Sequence, residues 1–314
     1  MGKLGRRKFL GTAAAAGGAV VAGGAVRNGR AEPPPAAVGP VDPLIKSPTD
    51  RVRLGRSGLQ VSLVGVGTGS VGYAHQSNQT KLGQEAFTRL MRHAFDRGVN
   101  FFDLADSYGS HPFFARAMKG VPRERYVVQT KTGSRDAATA RADVERFLKE
   151  LETDYIDSLI IHCVTEPDWP TRFRGVLDAL SEARERGRVR AVGVTCHSFA
   201  ALEAAAASDW VQINQVRWNP RAAHMDAGVE RVRPLFARMR ARGQGMIGMK
   251  VVGQGDIVGT PRGLSPEECF RFQIESGVVD SFVLGVESTD HVDQLLAGTQ
   301  LALNELGYRL PPAA

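Results

Sequence analysis

In residues 51–306, short apolar segments alternate with longer segments in which apolar residues recur at helical spacing. The short segments are rich in β-branched residues and end at glycine or polar turns, which is typical of buried parallel strands. The eight predicted strands are Leu63–Gly67, Asn100–Asp103, Tyr126–Lys131, Ser158–His162, Val189–Thr195, Val211–Gln215, Met246–Val251 and Ser281–Gly285. Ahead of them, Arg51–Leu54 and Leu59–Val61 are separated by a glycine-bounded turn, and this pattern predicts a short β-hairpin.

The segments between the strands predict helices, several of which end at a glycine. Those with clear end signals are Gln84–Arg97, Arg172–Arg186, Asp226–Arg242, a helix that begins after Ser265 and stops at Gly277, and Thr289–Leu306. Eight strands with helical crossovers predict an α/β fold, a closed (β/α)8 TIM barrel. The alternative is an open doubly wound sheet, which normally has an acid about 20 residues beyond its glycine-rich turn. The glycine-rich segment Gly65–Gly72 lacks such an acid, so we favour the barrel.

Residues 1–31 predict a twin-arginine signal peptide. Arg6 and Arg7 precede a weakly apolar run, Thr12–Val26, and the run is followed by small residues up to a potential cleavage site at Ala31. The run is too short and too rich in glycine to span about 30 Å of hydrocarbon, so we expect no stable transmembrane span after cleavage. The signal implies the twin-arginine export machinery as a partner and a periplasmic or otherwise extracytoplasmic location. A disordered basic tail is the alternative.

Composition separates this segment from the rest of the chain. Six of the 16 prolines fall within residues 32–50, which we interpret as a linker, and residues 51–314 form the predicted barrel domain. The first 31 residues contain six basic and no acidic side chains, whereas the remainder has 34 basic against 33 acidic. This near-neutral body gives no electrostatic reason to expect nucleic acid. The three cysteines and the histidines show no metal-ligand spacing, so we predict no metal.

Four polar side chains follow the ends of consecutive predicted strands, where barrels of this class place their chemistry. They are Asp103, Tyr108, Lys131 and His162. A nearby ammonium would lower the high pKa of a phenol, a carboxylate would hold that ammonium, and a neutral imidazole could orient a carbonyl. This combination favours proton delivery to an oxygen whose carbon receives a hydride. Asp106 is an alternative to Asp103, but we interpret it as a turn residue.

Over residues 51–306 the sequence resembles the aldo-keto reductase family. The resemblance rests on the segment Leu54–Ser62, the strand Gly65–Thr68 and the Asp-x-Ala-x-x-Tyr-Gly segment that contains Asp103 and Tyr108. It implies a (β/α)8 barrel that interconverts carbonyls and alcohols with a nicotinamide cofactor. It also implies Tyr108 as the general acid, Lys131 as the group that tunes its pKa, Asp103 as the partner of Lys131, and His162 as the residue that orients the carbonyl.

The resemblance also implies a set of cofactor contacts. The predicted residues are Gly67, Thr68, Thr195, Asn214, Gln215, Met249, Lys250, Gly285, Ser288 and His291. Lys250 has three open roles: it could meet cofactor phosphates, meet an acidic substrate, or pair with a nearby acid. The resemblance favours NADP(H) over NAD(H), although Glu287 would repel a 2′-phosphate and His291 stands where an arginine is common.

The predicted substrate is a small carbonyl or alcohol, such as an aldehyde, a ketone or a sugar. Only a short tail follows the last predicted helix, so we expect substrate contacts from His111, Trp169 and Trp218. Because nicotinamide cofactors are not freely available outside the cytoplasm, one alternative is a cell-envelope module that retains its cofactor for redox sensing or binding. A phosphate-binding lyase barrel is a further alternative, but a glycine-rich phosphate loop is lacking after both strands seven and eight.

Overall fold

The computed structural model describes residues 45–307 of the chain. The predicted signal segment, linker residues 32–44 and residues 308–314 lie outside the described residues. The last part of the predicted linker lies against the barrel. Ile45 is buried in the core, and the backbone oxygen of Pro48 accepts a hydrogen bond from the N–H of Val64 at 3.1 Å.

Eight parallel strands form a closed barrel, which confirms the predicted fold class. They are β3 (Val64–Gly67), β4 (Phe101–Asp103), β5 (Val127–Thr132), β6 (Ile156–Val164), β7 (Val189–Cys196), β8 (Ile213–Arg217), β9 (Gly245–Met249) and β10 (Ser281–Gly285). Each strand pairs with the next along the chain, and β10 closes the barrel by pairing with β3. Most strand residues are buried, and this is why the strands appear in the sequence as nearly continuous apolar runs.

Helices follow the barrel strands along the chain, in the alternation that the sequence predicts. They are α1 (Asn78–Lys81), α2 (Gln84–Asp96), α3 (His111–Met118), α4 (Ala137–Glu150), α5 (Trp169–Arg172), α6 (Arg174–Glu185), α7 (Phe199–Ala207), α8 (Val229–Ala241), α9 (Pro266–Glu275) and α10 (Thr289–Leu306). The predicted cap of α9 is present, since Ser265 and Glu268 each accept a backbone hydrogen bond from the other. None of the helices within residues 45–307 has the length and apolar character needed to cross a bilayer.

The predicted hairpin covers the amino-terminal end of the barrel. It consists of β1 (Arg51–Arg53) and β2 (Gln60–Ser62), which pair antiparallel. In its turn, the N–H of Arg56 donates to the oxygen of Gly243, just before β9, at 2.7 Å. The N–H of Ser62 donates to Asn100 Oδ1, just before β4, also at 2.7 Å. The hairpin therefore closes this end, and the carboxyl ends of the strands form the opposite end, where chemistry is expected.

A buried carboxylate ties three parts of the closed end together. Asp157, at the start of β6, has a side chain that is only 1% exposed. Its Oδ2 accepts from the N–H of Val128 in β5 at 2.9 Å and from Arg123 Nη2 at 2.6 Å, and its Oδ1 accepts from Arg190 Nη1 in β7 at 2.8 Å. Removing the carboxylate would leave a buried N–H without an acceptor and a largely buried guanidinium without its counter-charge.

We therefore expect Asp157→Ala to lower the free energy of unfolding by about 3 kcal/mol, the usual cost of breaking one side of a buried ion pair. Urea denaturation followed by circular dichroism measures this loss. Asp154→Ala is the matched control, because Asp154 is exposed three residues earlier, and its denaturation midpoint should stay close to that of the parent. Equal midpoints for the two variants would contradict the assignment of Asp157 as a structural tie.

Candidate active site

The four predicted catalytic side chains meet at the carboxyl end of the barrel. Asp103 is the last residue of β4, Lys131 lies near the end of β5, and His162 lies near the end of β6. Tyr108 ends a short 3-10 turn that follows β4. Because these strands are parallel neighbours, their carboxyl ends share one edge, and the structure brings the four side chains together there.

Asp103 and Lys131 form a buried ion pair. Lys131 Nζ donates to Asp103 Oδ1 at 2.6 Å and to the backbone oxygen of Leu104 at 2.7 Å. Two amides complete the carboxylate's partners: Gln129 Nε2 donates to Oδ1 and Gln215 Nε2 donates to Oδ2, both at 2.9 Å. Burial lowers the pKa of Lys131, while the charge and the hydrogen bond of Asp103 oppose that shift. A buried charge is tolerated only when it is paired and hydrogen-bonded, and both conditions are met here.

Sequence reasoning missed the polar layer that holds Asp103. Gln129 lies two residues before Lys131 in β5, so both side chains project from the same face of that strand. Ser158 stands beside Gln129 in the β5–β6 register, and its Oγ donates to Gln129 Oε1 at 3.0 Å. The spacing of two between a polar residue and the candidate lysine was the available signal.

Tyr108 lies between the lysine and the histidine. Lys131 Nζ is 5.0 Å from the centroid of the Tyr108 ring, and the His162 ring is 5.8 Å away and nearly perpendicular. Burial raises the pKa of Tyr108 well above its ordinary value of 10, and the charges of Asp103 and Cys163 add to the shift. Burial is the largest cause of this shift, and the tuning of the pKa by Lys131 stays a prediction.

The glycine-rich segment after β3 packs on the face of Tyr108. A side-chain carbon at Gly69 would lie 2.3 Å from Cε2 of the ring, and one at Gly72 would lie 2.3 Å from Cδ1. These distances are too short for any larger residue, so both positions need glycine to leave room for the phenol. The packing of Tyr108 therefore accounts for these two glycines, and no phosphate ligand is needed to explain them.

His162 is neutral at working pH. Burial lowers the pKa of His162 to about 2, and the positive charges of Lys131 and His197 contribute further. Arg135 Nη2 donates to the backbone oxygen of His162 at 2.7 Å, which fixes the end of β6. A neutral imidazole can still donate one hydrogen bond, which is what orienting a carbonyl oxygen requires.

Cys163 and His197 lie beside His162. Cys163 Sγ is 3.7 Å from His197 Nε2, and the two histidine rings are 6.5 Å apart. Burial raises the pKa of Cys163 and lowers that of His197 to about 4. Within residues 45–307, no group of three or more His, Cys, Asp or Glu side chains is arranged to hold a metal ion.

Eight buried side-chain polar atoms have no hydrogen-bond partner among the described residues, and two of them lie near the candidate site. These two are Thr195 Oγ1, near the end of β7, and Gln215 Oε1 in β8. A primary carboxamide carries both donors and an acceptor and would satisfy such a pair. The residues present therefore fit the carboxamide end of a nicotinamide cofactor.

Asn214 Oδ1 is also buried without a partner, but the side chain of Asn214 lies apart from this pair, contrary to expectation. Its Nδ2 donates to Oε1 of Gln244, the residue before β9, at 2.6 Å. Adjacent residues of a strand point to opposite faces, so Gln215 and Asn214 cannot both face the barrel interior. Asn214 instead joins the amino-terminal ends of two strands.

Two further predicted cofactor residues support the end of β4. Thr68 is fully buried, and its Oγ1 donates to the oxygen of Asp103 at 3.1 Å and shares a hydrogen bond with Ser110 Oγ at 2.9 Å. Gly67 stands between Asp103 and Gly285 in the strand register. The structure thus gives Thr68 a role in holding β4, and its hydroxyl already has two hydrogen-bond partners.

The remaining predicted cofactor residues lie at the ends of β9 and β10. Met249 ends β9 and is half-buried, and Lys250 follows it with a left-handed backbone (φ 57°). Gly285 ends β10 and is exposed. Ser288 caps α10 by accepting from the N–H of His291 at 3.2 Å. The start of α10 and the ends of β9 and β10 are therefore the places that could hold the phosphate-bearing part of a cofactor.

The tryptophans predicted to contact substrate lie in the core. Trp169 and Trp218 both have no solvent exposure. Trp169 Nε1 donates to the oxygen of Ala201 at 3.2 Å, and Trp218 Nε1 donates to Ser276 Oγ at 3.1 Å. The prediction that they line the substrate pocket is corrected, because each ring is enclosed and its one donor is already used.

His111 is likewise enclosed, in a polar network behind the site. It is 1% exposed and is bonded through Nε2 to Thr130 Oγ1 at 2.6 Å and through Nδ1 to Glu150 Oε2 at 2.8 Å. Arg146 joins Glu150 to Asp106, with Nη1 2.7 Å from Asp106 Oδ1. His111 therefore offers no surface to substrate, and the prediction that it contacts substrate is corrected. Asp106 lies in a turn, as predicted, and pairs with Arg146.

Comparison with known proteins identifies relatives of this chain. Residues 63–268 match the model of the Aldo/keto reductase family. The chain is 30% identical to L-galactose dehydrogenase of Arabidopsis thaliana over 153 residues, which cover 45% of this chain and 47% of that protein. It is 31% identical to an aldo-keto reductase of Mycolicibacterium paratuberculosis over 151 residues, covering 45% and 51%. The chain thus spans about half the length of these curated relatives.

Solved structures show the same fold. A structure from Pseudomonas aeruginosa, assigned by name to the aldo-keto reductases, superposes with a TM-score of 0.68 at 24% identity, covering 82% of this chain and 97% of the other. The holo form of an aldo-keto reductase from Bacillus halodurans gives 0.63 at 20% identity, covering 84% and 97%. The family match described above extends over more than half of the residues of this chain. The chain therefore belongs to the aldo/keto reductase family.

Proposed function

We propose that the protein is an NAD(P)(H)-dependent oxidoreductase that interconverts a carbonyl compound and an alcohol by hydride transfer, with Tyr108 as the proton donor. One observation carries the proposal: Tyr108, the neutral His162 and the Lys131–Asp103 pair meet at the carboxyl end of the barrel. The substrate class is a small aldehyde, ketone or sugar, or the corresponding alcohol.

When bound, the nicotinamide cofactor supplies or accepts the hydride, and Gln215 and Thr195 are the residues that would hold its carboxamide. His162 donates a hydrogen bond that orients the carbonyl oxygen. The raised pKa of Tyr108 keeps its proton in place until negative charge develops on that oxygen, which then takes the proton. The ammonium of Lys131, 5.0 Å from the ring centroid and fixed by Asp103, stabilises the phenolate that remains.

We expect Tyr108→Phe to lower kcat for aldehyde reduction by at least about 100-fold, because the proton donor is lost. The Kd for NADPH, measured by energy transfer from tryptophan to nicotinamide, should change little. Tyr155→Phe is the matched control, since Tyr155 lies before β6 under the Arg123 side chain, at the closed end of the barrel. Unchanged turnover in Tyr108→Phe would contradict the catalytic role and favour the alternative, a module that retains its cofactor for sensing or binding.

NADP(H) is the proposed cofactor, and Glu287 is the residue that opposes it. Glu287 lies between β10 and α10, where its Oε1 accepts a hydrogen bond from Asn78 Nδ2 at 2.8 Å. This bond holds a carboxylate close to the start of α10. A carboxylate at that place repels the 2′-phosphate that distinguishes NADP(H) from NAD(H).

Glu287→Gln should therefore raise the affinity for NADPH relative to NADH by about fivefold, the effect of removing one like charge at about 4 Å in water. Parallel fluorescence titrations with the two cofactors measure this ratio. Glu305→Gln, at the far end of α10, is the control and should leave the ratio as it is in the parent. A parent that binds NADH more tightly, with a ratio that does not respond to Glu287→Gln, would overturn the NADP(H) assignment.

The proposed location is outside the cytoplasm, reached by the twin-arginine route. Support comes from the Arg6-Arg7 pair, the apolar run after it and the small residues that end at Ala31. This route carries proteins that have already folded, so a cofactor bound in the cytoplasm would travel with the chain.

Replacing Arg6 and Arg7 together by lysine should abolish export in a bacterial host that has this route, because its receptor requires the arginine pair. Cell fractionation and immunoblotting measure the periplasmic share of the protein. Replacing Arg27 and Arg30 by lysine is the control, since it makes the same change outside the pair. Equal periplasmic fractions for both variants would contradict the proposed route.

A further inference from the structure

The open end of the barrel around Tyr108 and His162, here called the mouth, carries several cationic side chains. Four cationic side chains lie at the strand ends that form it: Lys131, Arg135, Arg217 and Lys250. Lys131 and Arg217 are each paired with a buried aspartate, and Arg135 donates to backbone oxygens. The ammonium of Lys250 has neither a hydrogen bond nor an ion pair within the described part of the chain. A half-buried, unpaired ammonium costs free energy that an anionic ligand would offset.

The backbone of Lys250 is held in an unfavourable conformation. Its φ of 57° lies in the left-handed region, which is uncommon for a lysine. Its backbone oxygen accepts from the buried Asn219 Nδ2 at 3.1 Å and from the N–H of Gly253 at 2.8 Å. Asn219 Nδ2 also donates to the oxygen of Ala223, which anchors the amide. Strained residues held in place by such contacts cluster at functional sites.

The ammonium acts on the side of the mouth that carries His162. The charge of Lys250 lowers the pKa values of His162 and His197, and that of Cys163 as well. The pKa of Lys250 is itself lowered to about 8, by burial first and then by the charge of Arg217. His162 and Cys163 lie near the end of β6, His197 follows β7 and Arg217 ends β8, whereas the helix start suited to cofactor phosphates follows β10.

We propose that Lys250 binds the carboxylate of the substrate, so that the preferred substrates are carbonyl compounds that also carry a carboxylate. This inference rests on the proposed function and names its substrate class. In the reaction the cofactor's hydride forms the new C–H bond, the carbonyl π bond breaks, and the proton of Tyr108 completes the hydroxyl group. The carboxylate is unchanged, so an aldehyde acid or oxo acid becomes a hydroxy acid and the nicotinamide is oxidised.

The test compares 4-carboxybenzaldehyde with its methyl ester, two aldehydes of nearly equal shape that differ in charge. With the full chain and saturating cofactor, kcat/KM should favour the acid over the ester by about tenfold or more, the effect of one charge-assisted hydrogen bond. Lys250→Met should remove that preference, and Lys250→Arg, which keeps the charge, should retain part of it. Lys149→Met is the control, because Lys149 is exposed on α4 and its loss should leave the preference intact.

Three results would overturn the inference. The first is a parent protein that does not distinguish acid from ester, and the second is a Lys250→Met variant that keeps the preference. The third is a Lys250→Met variant whose Kd for NADPH rises by the same factor as the preference falls, since that result would assign the ammonium to cofactor phosphates.

A separate binding measurement distinguishes failure of this inference from failure of the proposed function. Calorimetric titration of the full chain with benzoate needs no turnover. If no aldehyde is reduced but benzoate binds and Lys250→Met abolishes that binding, the anion site stands and the proposed function fails. If aldehydes are reduced but benzoate does not bind, the anion site fails and the proposed function stands. If neither occurs, both are overturned.

Discussion

The buried ion pair between Asp103 and Lys131 sets the conditions for the rest of the barrel's interior. Two opposite charges withdrawn from water need donors and acceptors on every side, and the barrel supplies them from β4, β5 and β8 through Leu104, Gln129 and Gln215. Each contact requires its strand in one register, because a shift of a single residue would turn the side chain to the other face. The hairpin covers the amino-terminal end of the barrel. The Asp103–Lys131 pair can therefore be approached only from the carboxyl end.

Burial has opposite effects on the pKa values of Tyr108 and His162. It raises the pKa of the Tyr108 phenol and lowers that of the His162 imidazole, so both groups stay neutral and both keep a hydrogen to donate. The cationic side chains of the mouth are therefore lysines and arginines. Asp103 pairs with Lys131 and Asp226 pairs with Arg217, whereas the ammonium of Lys250 has no hydrogen bond or ion pair within the described residues.

The barrel and the meeting of four side chains could be predicted from sequence, because both depend on local patterns. Apolar runs marked the eight strands, and the parallel arrangement placed Asp103, Lys131 and His162 at one end. The burial of individual side chains could not be predicted in this way. The enclosure of Trp169 and Trp218 depends on helices from distant parts of the chain. The raised pKa of Tyr108 has the same origin, since burial is its largest cause. The assignment of both Asn214 and Gln215 to the cofactor site conflicts with the alternation of side chains along a strand, because adjacent residues point to opposite faces.

The pairing of β10 with β3 has a consequence for the order in which the molecule is made. The N–H of Phe282 bonds the oxygen of Leu63, and Gly285 lies beside Gly67, so the seam joins segments from opposite ends of the domain. A chain growing on the ribosome can assemble β3 to β9 with their helices, but β3 keeps one unpaired edge until β10 emerges. Such an edge is a template for pairing with another chain. The nascent protein is therefore most open to misassociation late in its synthesis, and the last strand removes that hazard at once.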